Sequence, residues 1–227
     1  MNNQLSSRLD DIVRTFPCFK NVSTSDWENR GLSIVRVPPS IAIAEGHLFE
    51  HAAFVLSGTV RIYKVGATGR ELTLYRVRQG EVCVVMMASI LGETPYEATA
   101  AIEEDTVLLL LPVDLFKRWM SNYPTLNQYI YKLFIKRMVG VTDLIDDIAF
   151  KPMEVRVAEL VLQRLSAGCD DKLSITHEQL ASELGTAREV VSRTLKELEQ
   201  RGVLEIGRGS IRHIRTEELK RIVTVLK

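Results

Sequence analysis

Residues 175–209 read ITHEQLASELGTAREVVSRTLKELEQRGVLEIGRG, and this stretch decides how the rest of the chain is read. Thr176 followed by Gln179, and Thr186 followed by Glu189, are two capping-box signals that predict two helix starts ten residues apart. Gly185 stands where the first helix needs a left-handed residue to stop. In the second helix Val191, Leu195 and Leu198 recur at i, i+4 and i+7. That stripe is expected to be buried against Leu180, Ala181 and Leu184 of the first helix.

The opposite face of the second helix carries Arg188, Glu189, Ser192, Arg193 and Lys196. Two guanidinium forks and a carboxylate near a helix N-terminus suit base edges in a DNA major groove. Arginine can bond guanine O6 and N7 together, and glutamate can accept from cytosine N4. After Gly202 the segment VLEIGRGSIRHI alternates about Gly207-Arg208-Gly209 and predicts a short hairpin, or wing. Its Arg208 and Arg212 are placed to lie along phosphates.

The segment AREVVSRTLKELEQRGVLEIGRGSI resembles the cyclic-AMP receptor and fumarate-nitrate regulator (CRP/FNR) group of bacterial transcription factors. The resemblance implies that Arg188, Glu189 and Arg193 stand at the base-reading positions and that Thr176 touches the DNA backbone. The expected double-stranded DNA interface comprises Thr176, Thr186, Arg188, Glu189, Ser192, Arg193, Lys196, Arg208 and Arg212. By the same resemblance, the site read is two-fold symmetric with a G·C-containing half-site, and RNA polymerase is a partner. The chain is expected to be no enzyme.

The 227 residues suit two modest domains, and the formal net charge is zero. Residues 151–227 hold 14 Lys+Arg against 12 Asp+Glu, which leaves 15 against 17 for the first 150. DNA affinity must therefore come from local clustering, as at Arg201, Arg208, Arg212 and Arg215, rather than from a basic chain. The opening residues lack a leader pattern and no apolar run spans a membrane, so a cytoplasmic location is expected. Cys18, Cys83 and Cys169 are odd in number and far apart, which argues against a disulfide framework. The lone N-terminal Cys18 also falls short of the four thiolates that an iron–sulfur cluster usually requires.

Between Leu32 and Pro112 the runs SIVRV, IAIAEG, AAFVLSG, TVRIYKVG, LTLYRVRQG and VLLLLP are punctuated by glycine and predict antiparallel strands in a roll or sandwich. The segment AAFVLSGTVRIYKVGATGRELTLYRVRQGE resembles the family's cyclic-nucleotide-binding β-roll. The expected fold class is thus α+β: an N-terminal antiparallel β-roll (1–122), a long dimerisation helix with a hinge (123–150), and a C-terminal winged helix-turn-helix (151–227). In members that bind cyclic nucleotide, a Gly-Glu pair holds the ribose, and Gly80-Glu81 and Gly92-Glu93 are both candidates. An arginine followed by serine or threonine clamps the phosphate, but here Ala98 precedes Thr99, and no arginine occurs between Arg78 and Arg118. A phosphate buried without a cation is costly, so cyclic AMP is not expected as effector.

The stretch EVCVVMMASILG falls at that pocket, and the expected effector residues are Glu81, Cys83, Met86, Met87 and Thr99. Three readings of Cys83, Met86 and Met87 stand side by side: core packing, a thiol sensor, or haem ligation. Cys83 lies close to where a carbon-monoxide-sensing member of the family supplies a thiolate to haem. The effector is accordingly an unidentified small molecule or gas. His47 and His51 lack the spacing of a metal motif, and neither a nucleophile elbow nor a phosphate loop occurs.

From Tyr123 to Phe150 the pattern becomes helical, with Ile130, Phe134, Met138, Val141, Ile145 and Ile148 predicted as one stripe that pairs with its copy in a homodimer. Asp146 to Pro152 marks a hinge before a helix with Val155, Leu160 and Leu165 turned inward. The segment TEELKRIVTVLK predicts a last helix docked through Leu219, Ile222 and Val223. A competing class is a cyclic-nucleotide-type sensor that regulates a protein partner without DNA; the reading helix argues against it.

Overall fold

A computed structural model describes residues 8–29, 31–166 and 172–225. Cys169 lies outside them, and the first described helix is α1 (Leu9–Thr15). A 3-10 turn at Pro17–Phe19 and the short α2 (Thr24–Trp27) follow. The chain divides into two compact units, one of residues 1–64 with 74–141 and one of 65–73 with 142–227.

Seven strands form two antiparallel sheets: β1 (Ser33–Val37), β2 (Ser40–Ile43), β3 (His51–Ser57), β4 (Thr59–Val65), β5 (Glu71–Arg78), β6 (Thr99–Ile102) and β7 (Thr106–Pro112). One sheet runs β1-β7-β3 and the other β2-β6-β4-β5. In the first, Ile34 lies opposite Leu109 and Phe54 lies opposite Leu109 from the other side. In the second, Ile62 lies opposite Ala100. Alternation places Phe54, Ile62, Val77, Leu109 and Leu111 inside, all at most 1% exposed. At one end Phe16, Phe19, Trp27, Phe54 and Trp119 pack edge to face or tilted, with ring centres 5.0–5.8 Å apart. Such contacts add to area burial.

Six of the strands were legible as short apolar or alternating runs. β6 was not, because TAAI is short and rich in alanine, a poor strand former. Nor was α3 (Val84–Gly92), which covers most of the EVCVVMMASILG stretch. It is apolar nearly all round, so it shows no amphipathic period, as expected of a buried helix. α4 (Val113–Asn122) and α5 (Pro124–Phe150) complete this region.

Proline at the first position of α5 needs no hydrogen-bond partner and sets the helical φ. The 27 residues of α5 span about 40 Å. Its predicted single stripe divides in two. Leu126, Ile130 and Leu133 are buried, and Phe134 is half-buried, against the core of the roll. A different line is exposed beyond them: Ile135 at 66%, Met138 at 75%, Ile145 at 59% and Phe150 at 81%. The sequence shows both sets but not where the roll ends.

The second unit contains α6 (Met153–Ser166), α7 (His177–Leu184), α8 (Arg188–Gln200), β8 (Glu205–Gly207), β9 (Ser210–Arg212) and α9 (Thr216–Val225). Leu173 bonds Ile211 in both directions at 2.8 Å, extending the wing by one bridge. In α6 Val155, Val157, Ala158 and Val161 are fully buried, whereas Leu160 and Leu165 are half-buried. Lys151, at the break before Pro152, holds Asp147 at 2.7 Å and Glu159 at 2.8 Å.

Arg156, which periodicity places among the apolar residues of α6, is buried, and its guanidinium donates to the Leu184 carbonyl. That carbonyl ends α7, where the helix dipole favours a cation. Replacing Arg156 with Met leaves the carbonyl buried and unbonded. The expected loss is about 1.5–3 kcal/mol of stability, read by urea unfolding, with α6 still formed.

Candidate nucleic-acid interface and effector cavity

Thr176 and Gln179 form the predicted capping box. The threonine hydroxyl accepts from the Gln179 N–H at 3.1 Å, and the glutamine side chain accepts from the Thr176 N–H at 2.8 Å. Gly185 follows α7 at φ +61, the left-handed region that favours glycine. The second predicted box does not form. The Thr186 N–H returns to the Ala181 carbonyl at 3.0 Å, so this residue closes α7, and Ala187 precedes α8 with no side-chain cap. Three residues, Gly185 to Ala187, therefore join the helices.

Within α8 the buried residues are Val191, Thr194, Leu195 and Leu198. They meet the buried Leu180, Ala181 and Leu184 of α7 in one apolar cluster. Arg188, Glu189, Arg193 and Lys196 are exposed, and among the described residues none of them forms an ion pair. Ser192 differs from its neighbours. It is half-buried, and its hydroxyl lies 2.8 Å from His177 Nδ1 on α7. Arg208 at the wing tip and Arg212 on β9 are exposed, and Arg212 Nε donates to Ser210 Oγ at 3.3 Å. Gly209 turns the wing at φ +66.

Burial, and then the nearby Arg188 charge, hold the His177 pKa below the ordinary histidine value. The unfolded chain then binds the proton more readily than the folded one. Stability from this group is fully present above pH ~6.5 and falls as pH drops from there through the lowered folded value. His177→Gln is expected to remove this share of the acid sensitivity, compared as urea midpoints of the two proteins at pH 7.5 and 5.5.

The β-roll has its own candidate site. A cavity of about 60 Å³ lies between the sheets, walled by Phe49, Val55, Ile62, Cys83, Met86, Tyr96 and further aliphatic side chains, with no charged residue. Of the five expected effector residues, Cys83 and Met86 line it; Glu81, Met87 and Thr99 do not. The Glu81 carboxylate is instead held by Arg137 at 2.6 Å, Lys136 at 3.0 Å and the Arg78 N–H at 3.2 Å. Lys136 and the backbone bond hold its pKa below the usual carboxylate range against the opposing effect of burial. Glu93, the other candidate, caps α3 at φ 54 and pairs with Lys117 at the surface. Ala98 is fully buried, and no cation stands beside Thr99 in the segment 96–105.

Cys83 precedes α3 as its N-cap, its sulfur accepting from the Met86 N–H at 3.4 Å. The Tyr75 and Tyr96 hydroxyls each lie 3.6 Å from the sulfur. A porphyrin does not fit this space: the cavity holds only a few heavy atoms, and Cys83 is nine-tenths buried against side chains. Cys18 offers no sensor either, since burial pushes its thiol up to about 12. Among the described residues no helix is long and apolar enough to cross a membrane.

Comparison with known proteins agrees with both parts. Residues 38–123 match the cyclic nucleotide-binding domain, and residues 155–222 match the Crp-like helix-turn-helix domain. The cyclic AMP receptor protein of Thermus thermophilus is 32% identical over 167 residues, covering 74% of this chain and 76% of that one. A CRP-like cAMP-activated global transcriptional regulator of Mycobacterium tuberculosis is 23% identical over 223 residues, 94% of this chain and 99% of the relative. A crystal structure from Eubacterium rectale, described as a regulator of the CRP/FNR family, superposes with a TM-score of 0.82 at 28% identity, covering 93% of this chain and 99% of that one. With a β-roll, a long helix, a winged helix-turn-helix and relatives matched along most of its length, the chain belongs to the CRP/FNR family of transcriptional regulators.

Proposed function

We propose that the protein is a homodimeric, effector-responsive transcription regulator that reads a palindromic DNA site, and that its effector is not cyclic AMP. One observation carries the DNA reading: Arg188, Glu189 and Arg193 are exposed on one side of α8 while Val191, Leu195 and Leu198 are buried on the other. Ser192, tied to His177, positions the helix pair rather than reaching a base. Thr176 and the wing arginines supply backbone contacts, and Thr186 shapes the turn. RNA polymerase as partner and a cytoplasmic location follow from the family's role.

The exposed apolar line of α5 supports the dimer. Ile135, Met138 and Ile145 recur at three and seven residues, the spacing of a coiled-coil seam. Pairing two such helices about a two-fold axis would set two reading helices about 34 Å apart, one turn of DNA. Against cyclic AMP stands the charge-free cavity. A phosphate enclosed there would have no counter-charge.

Two outcomes test this reading. In selection from random duplexes, Arg188→Ala is expected to relax one base preference and weaken the selected site by about 1–3 kcal/mol, whereas Arg208→Ala weakens all sequences alike and lowers the salt slope by about one. An unchanged preference in Arg188→Ala would overturn the base-reading role. Ile135→Asp is expected to give a folded monomer by sedimentation, with its affinity for the two-fold site reduced to that of a half-site.

A further inference from the structure

Among the described features outside the DNA interface, the β-roll cavity is joined to α5 by an unbroken set of polar contacts. Cys83, in the cavity wall, lies 3.6 Å from the Tyr75 hydroxyl. The same hydroxyl accepts from the Val85 N–H at 3.3 Å. The Arg137 guanidinium of α5 sits 4.4 Å from the centre of the Tyr75 ring. It also donates to the Arg76 carbonyl at 3.0 Å and to Glu81 at 2.6 Å. Arginine over an aromatic face is attracted by the ring quadrupole, and more so where water is excluded. Arg137 Nε is buried and lacks a hydrogen-bond partner. The guanidinium is thus held by a ring, a carbonyl and a carboxylate, while its buried Nε–H is unsatisfied.

The cavity wall defines the occupant. Apart from the Cys83 and Met86 sulfurs and the Tyr96 hydroxyl, it is hydrocarbon. Burial, with the neighbouring Cys83, raises the pKa values of Tyr75 and Tyr96 above the usual phenol value, so both stay neutral and able to donate. Anions and cations are excluded, because either would be enclosed without an opposite charge. The size excludes more. An apolar cavity of about 150 Å³ holds a six-carbon ring such as benzene, whereas this one, about 60 Å³, has room for a few heavy atoms or a single xenon. Met86, unbranched and adaptable, is the side chain able to yield a little more room.

We propose that the β-roll cavity binds a neutral, apolar molecule of a few heavy atoms, a dissolved gas included, seated against Cys83 and Tyr96, and that Tyr75 and Arg137 transmit its presence to α5. The inference rests on the reading of the roll as the effector-sensing part. An occupant packed against Cys83 displaces the sulfur from the Tyr75 hydroxyl. Any resulting shift of the ring moves the cation stacked on it and alters the Arg137–Glu81 pair, and with it the side of α5 that carries Met138.

The test uses the full chain with 13C-labelled methionine methyls, xenon under pressure and 1-propanol as probes, and cyclic AMP as control. The Met86 signal is expected to shift saturably with both probes and not with cyclic AMP, while Met120 and Met153 stay in place. Ala100→Val, which fills the cavity, should weaken xenon binding by about tenfold or more. Should that variant fail to fold, Val55→Ala provides the reverse case: an enlarged cavity that binds benzene more tightly than the parent does. Tyr75→Phe keeps the ring and removes the hydroxyl, so Met86 should still respond while the accompanying Met138 shift disappears. A Met86 signal indifferent to both probes, or displaced by cyclic AMP, overturns the ligand class. A Met138 response unchanged in Tyr75→Phe overturns the route. Either failure leaves duplex selection intact, whereas absence of DNA binding by the parent protein would remove the regulator reading and leave cavity occupancy standing.

Discussion

Packing of Val191, Leu195 and Leu198 against Leu180, Ala181 and Leu184 is the constraint that the DNA-facing surface depends on. All six are at most 6% exposed, so a rotation of α8 by one residue would expose apolar side chains and bury a guanidinium. At about 25 cal/mol per Å² of apolar area, with a further penalty for an unpaired charge, that alternative is heavily disfavoured. The charged side is outward because the apolar side has only one place to go. Arg156 adds direction, binding α6 to the end of α7 beside the turn.

Local chemistry was legible in the sequence and tertiary competition was not. The Thr176–Gln179 box involves four consecutive residues and formed as predicted. Thr186 and Glu189 have the same spacing, yet the Thr186 N–H was already committed to Ala181 of the preceding helix. A signal for starting one helix lost to the need to end another. Ser192 follows the same logic at longer range. Its spacing gives an outward position, but His177, fifteen residues earlier, lies within hydrogen-bond reach and takes its hydroxyl.

In the β-roll the limits are clearer still. Short apolar or alternating runs between glycines revealed six strands, while α3, dry on nearly all sides, carried no period to detect. The Gly80-Glu81 pair suggested ribose binding. What decides the carboxylate's role is Arg137, 56 positions later on α5, and no pattern local to residue 81 announces it. The missing arginine near Thr99, by contrast, could be read directly, and the charge-free wall of the cavity agrees with it. Absence of a required residue type is a sequence-level fact; the fate of a residue that is present depends on its neighbours in space.

The three-residue connection at Gly185, Thr186 and Ala187 carries a final implication. Its backbone is closed on Ala181 and a guanidinium fastens the carbonyl beside it, so α7 and α8 are presented at a set angle before any duplex arrives. The conformational entropy of shaping that surface is lost during folding rather than at the moment of encounter. On the proposed reading, discrimination between sequences then falls on the side chains of α8, and a poor site cannot improve its fit by bending the protein. On that reading the DNA must deform instead, which makes its stiffness part of what is recognised.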